Sequence, residues 1–127
     1  MPMMQFSVAP WRVLDQEHLN AIKKTVETRQ SFVPKIMQLA EISAKTGAPI
    51  VSNMEYCFPD QGFENCKDQF MLGDDILVCP VVQKEQVRNV IFPKGIWISS
   101  KGMKIKGPAV KQFEVPLDEL LWFEKKK

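Results

Sequence analysis

The chain has 127 residues, room for one ordinary domain with a buried core. Its 17 basic and 15 acidic residues leave a formal charge of +2 and are scattered along the sequence, so composition gives no nucleic-acid footprint. With His18 as sole histidine, and Cys57, Cys66 and Cys79 out of metal-site spacing, neither a metal nor a cofactor is expected.

Met1-Pro2-Met3-Met4 lacks the basic and long apolar regions of a signal peptide, and no segment approaches the roughly 20 apolar residues of a membrane span. Residues 3–8 read as a short strand stopped by Ala9-Pro10-Trp11, because Pro10 biases Ala9 to an extended conformation. Asp15 is a plausible helix N-cap, with His18 where a full capping box would carry Glu. Leu19, Ile22, Val26 and Val33, then Ile36, Met37, Leu39, Ala40 and Ala44, recur at helical spacing. The pattern predicts helices over 15–32 and 34–45, kinked at Pro34 or separated by a turn, and closed by Gly47.

After Gly47 the character changes. Residues 49–51 are a short apolar element, and 58–67 form a loop rich in Pro, Asp, Gly and Asn. Asp68-Gln69-Phe70-Met71-Leu72 leads to a turn at Gly73-Asp74-Asp75, and 76–82 reads as a strand buried on both faces. Pro80 cannot donate to a ladder, so that strand bends there or lies near an edge. Further strands are expected over 87–92, 96–99, 113–115 and 120–123, with turns at Lys94-Gly95, Lys101-Gly102 and Gly107-Pro108. Strands this short and close suggest a small antiparallel β-sandwich.

Cys57 and Cys66 flank one loop. A disulfide and a pair of free, partly buried thiols are both open readings, whereas Cys79 reads as a small core residue. Asp68 and Asp74 look like an acid pair for a sugar or metal. The plainer reading has Asp68 bonding backbone amides and Asp74-Asp75 holding a turn, and no calcium-loop pattern supports a metal there. The Lys125-Lys126-Lys127 tail reads as a solvated end.

The order Pro49-Ile50, Phe58-Pro59-Asp60, Asp68-Gln69-Phe70, Gly73-Asp74, Leu77-Val78, Pro80-Val81 and Phe92-Pro93…Gly95…Trp97 resembles glycoside hydrolase family 31. Gln5-Phe6-Ser7-Val8-Ala9-Pro10-Trp11 is most similar to the myogenesis-regulating glycosidase branch of that family. The resemblance implies an α+β fragment, with the last strand and helices of a (β/α)8 barrel over 1–50 and a small antiparallel β-sandwich domain over 51–127. A complete barrel needs roughly 250 residues. The family's retaining mechanism uses two aspartates on earlier barrel strands. No carboxylate here matches their motifs, so no catalytic residue is assigned.

By the same resemblance, the substrate-binding candidates are Gln5, Ser7 and Trp11. Gln5 and Ser7 stand where many members carry the ends of an Arg-x-His step. Both still hydrogen-bond a hydroxyl but lose charge and reach, which points away from α-glucosides, towards α-galactosides. Trp11 is either a stacking platform for a pyranose or a buried anchor at the helix start. Ser52-Asn53 replaces the usual Arg-Pro, removing an ion pair between barrel and β domain. The resemblance implies an α-linked oligosaccharide or glycoconjugate as the parent protein's partner, in the secretory pathway and membrane-anchored. The rival expectations are a self-standing carbohydrate- or protein-binding β module, or a non-catalytic relative with a structural or regulatory role.

Overall fold

The computed structural model describes residues 7–82, 87–116 and 118–126. They form two compact units, one of residues up to 50 together with 118–119, the other of 51–116 and 120 onward.

The first unit is built on one helix. Pro10–Arg12 forms a single 3-10 turn, and α1 follows over Gln16–Thr46. Asp15 caps it: its Oδ1 accepts from the His18 backbone N–H at 2.9 Å and lies 2.7 Å from His18 Nδ1. The ring thus takes the place that Glu holds in a capping box. At the far end Gly47 adopts φ 76°, and its N–H reaches Ser43 O at 2.8 Å. The two expected helices are therefore one, running through Pro34. Proline removes only its own bond to the preceding turn, and enough helix lies on each side for α1 to continue past that loss. Of the barrel strand expected over 3–8, residues 3–6 lie outside the described residues, and Ser7 and Val8 are exposed without strand pairing.

The second unit is a six-stranded antiparallel sheet. Its strands are β1 Val51–Asn53, β2 Phe70–Leu72, β3 Ile76–Cys79, β4 Val87–Ser99, β5 Lys104–Glu114 and β6 Leu121–Lys126, in the order β1-β2-β3-β6-β4-β5. A four-residue helix, α2 (Met54–Cys57), follows β1 and is capped by the Asn53 side chain. The antiparallel domain is as expected, but its strands share one hydrogen-bonded series. The expected strands 87–92 and 96–99 are one strand, β4, interrupted by a bulge between Phe92 and Gly95. The expected turn at Gly107-Pro108 lies inside β5, which begins nine residues before the predicted 113–115 strand. β3 ends at Cys79, just before the proline that cannot extend it.

Burial along β4 alternates from Val87 to Phe92, with Arg88, Val90 and Phe92 inside. With Met54, Met71, Leu77, Trp97, Ile105 and Phe123 they enclose the core. Phe92 and Phe123 meet edge to face at 4.7 Å, and Phe113 lies 5.3 Å from Phe123. The bulge displaces Pro93 so that its carbonyl accepts from Trp97 Nε1 at 2.9 Å. The same carbonyl lies against Gly107, where a Cβ would stand 2.0 Å from Pro93 O. Only glycine permits that approach.

Candidate functional site

β6 pairs with β4 only from Ile96 to Ser99, so residues 87–92 of β4 have β5 on one side and, among the described residues, no strand on the other. The Asp68-Gln69 step, entering β2, fills that gap. Gln69, 3% exposed, donates Nε2–H to Ile91 O at 2.7 Å and accepts from Ile91 N–H at 3.1 Å. A side-chain amide has the donor and acceptor of a peptide group, so Gln69 stands in for the missing strand.

Arg88, 8% exposed, locks the neighbouring position. Its Nη2 donates to Asp68 O at 2.7 Å, and its Nη1 donates to Asn89 O at 2.6 Å and lies 2.8 Å from Asp68 Oδ2. The Cys66 thiol approaches Asp68 Oδ1 at 3.8 Å. Asp68 is thus held by a buried guanidinium rather than by backbone amides as expected. Asp74 is exposed in the β2–β3 turn, and Asp75 O accepts from Lys125 N–H at 2.7 Å. Sequence reasoning placed Gln69 in the central motif without a role, and missed Arg88. An arginine in phase with Val90 and Phe92 on an alternating strand was the available signal, since a buried cation requires a nearby anion.

Two grooves open beside this node. One of about 630 Å³ runs between Gln61, Phe63, Phe92, Pro93 and Pro108. The other, of about 340 Å³, has Asp68 and Arg88 with Val81, Val82 and Val87 around it. Both share Ile91 and Val110, and their linings contain a single carboxylate, Asp68. Neither presents the paired acids that general acid and base chemistry on a glycosidic bond needs.

Of the substrate-binding candidates, Gln5 lies outside the described residues. Ser7 is exposed, and Trp11 is 74% exposed within the 3-10 turn. Cys57, Cys66 and Cys79 are all free, which removes the disulfide reading. Burial raises all three thiols above their ordinary range, and Cys79 is pushed up to about 12. Among the described residues no group of three or more His, Cys, Asp or Glu could hold a metal, and no helix is long and apolar enough to cross a membrane.

Residues 47–126 match the glycosyl hydrolase family 31 C-terminal domain. Myogenesis-regulating glycosidase of Mus musculus is 38% identical over 128 residues, covering 97% of this chain and 18% of its own length. An alpha-glucosidase of Saccharolobus solfataricus is 34% identical over 91 residues, 70% of this chain and 13% of its own. Among solved structures, a GH31 alpha-xylosidase from a soil metagenome superposes with a TM-score of 0.83 at 28% identity, over 98% of this chain and 19% of its own. A Flavobacterium johnsoniae GH31 dextranase, complexed with glucose, superposes at 0.87 and 29% identity, over 94% and 15%. This chain therefore spans under a fifth of the length of each of these relatives. The chain belongs to glycosyl hydrolase family 31, through that family's C-terminal domain.

Proposed function

We propose that this chain is the carboxy-terminal portion of a retaining α-glycosidase that hydrolyses the O-glycosyl bonds of an α-linked oligosaccharide or glycoconjugate. Residues 1–50 are the end of its (β/α)8 barrel, and 51–127 are the β domain that follows. The observation that carries this reading is the match of 47–126 to a domain of glycosyl hydrolases, in relatives more than five times longer. The helix α1 supports the barrel assignment. None of its 31 residues is buried, although Leu19, Ile22, Val26, Val33, Ile36 and Leu39 form an apolar stripe. A stripe of that width packs against other elements in a folded domain.

On this reading the two catalytic aspartates, about 5–5.5 Å apart in a retaining enzyme, lie in the part of the protein that precedes this chain. Gln5 and Ser7 bond sugar hydroxyls at the barrel rim, and the exposed Trp11 indole offers a face for a pyranose. Loss of the Arg-x-His cations favours α-galactosides over α-glucosides. The Asp68–Arg88 and Gln69–Ile91 contacts keep the β domain rigid. A self-standing binding module is the weaker reading, since the matched segment is a domain of hydrolases. By its similarity to the myogenesis-regulating glycosidase, the whole protein belongs in the secretory pathway, membrane-anchored; endoglycosidase-sensitive N-glycans on its product would test that placement.

Sequencing the transcript 5′ of the Met1 codon tests the main reading. An open frame of several hundred codons carrying two barrel-strand aspartates is expected. The extended product should cleave p-nitrophenyl α-glycosides, α-galactoside faster than α-glucoside, while the 127-residue chain stays silent. A stop codon directly upstream, or hydrolysis by the chain alone, would refute it.

A further inference from the structure

We draw no further inference here: the strongest candidate, the exposed apolar face that Val87 and Ile91 of β4 form with Val110 of β5 beside the two grooves, carries nothing, because nothing in the structure shows what covers it.

Discussion

Gly107→Ala should be among the most damaging single-methyl changes available to the β domain. The added Cβ would meet Pro93 O at 2.0 Å, Pro93 C at 2.8 Å and Phe92 O at 3.1 Å. All three atoms are backbone, so no side chain can rotate away. Either β5 retreats from the bulge or Pro93 moves, and Pro93 O is the acceptor for the buried Trp97 indole. Overpacking of a tight site costs about 1–3 kcal/mol, and an orphaned buried donor adds about 1–3 kcal/mol. A loss of about 2–6 kcal/mol is therefore expected, a large part of the total stability of a small domain. With a urea m-value of about 1–1.5 kcal/mol/M, the midpoint should fall by roughly 1–6 M. Gly102→Ala is the control: Gly102 has φ 79° and open space around its Cβ position, so only backbone strain of about 1–2 kcal/mol applies. Far-UV circular dichroism of both variants in urea reads the difference. If Gly107→Ala unfolds no earlier than Gly102→Ala, the contact with Pro93 does not constrain the fold and the reasoning fails.

Gln69→Ala removes both bonds to Ile91, and at about 1 kcal/mol each it should cost about 2 kcal/mol or more in urea unfolding. Gln69→Glu puts an oxygen against Ile91 O, and burial raises its folded pKa above the unfolded ~4.3. Its stability relative to the parent should then fall as pH rises from about 4 towards 7; a flat difference across that range would contradict the pairing. His18, the only histidine, should titrate by NMR above 6.5, because the Asp15 carboxylate bonds and faces its ring. The pair's contribution is complete below 6.5 and lost as pH rises through the elevated His18 value; on the acid side it is lost as Asp15 protonates below 3.8. Asp15→Asn should return the His18 midpoint towards 6.5, and an unmoved midpoint would show that Asp15 is not the cause. At pH 8 native Cys79 should resist iodoacetamide while all three cysteines label in urea, as burial pushes its thiol up to about 12; rapid native labelling of Cys79 would contradict its burial.

Local signals in the sequence carried much of the architecture. Asp15 and Gly47 mark the ends of α1 because capping chemistry is local, and the β-rich run from Val87 to Phe92 marks the first half of β4. What was not legible depended on partners distant in sequence. Gly107-Pro108 has the composition of a turn, yet the chain stays extended there because the Phe92–Gly95 bulge on β4 supplies a complementary irregularity. Pro34 reads as a break only when its cost is set against a short helix; against 31 residues it is absorbed. Arg88 could be recognised as unusual, but not paired with Asp68 twenty residues away until β2 and β4 were in place.

The two units differ in how far their apolar patterns are satisfied. In the β domain the inward positions of β3, β4 and β6 converge, and Leu77, Val90, Trp97 and Phe123 are fully buried. On α1 none of the stripe residues is buried, and Met37 and Ile42 on the same helix are 57% and 42% exposed. Complete burial of a large aliphatic side chain is worth roughly 1.5–3 kcal/mol, and on α1 part of that is unrealised. The length of α1 cannot make up the difference, because most helical stability in proteins comes from packing of the apolar face. The same sequence therefore describes one unit whose core is closed and one whose apolar stripe is not buried within the described residues. Under the hydrolase reading, that further chain is the body of the barrel carrying the catalytic aspartates, and the face that completes α1 also brings the rim at Ser7 and Trp11 to the sugar.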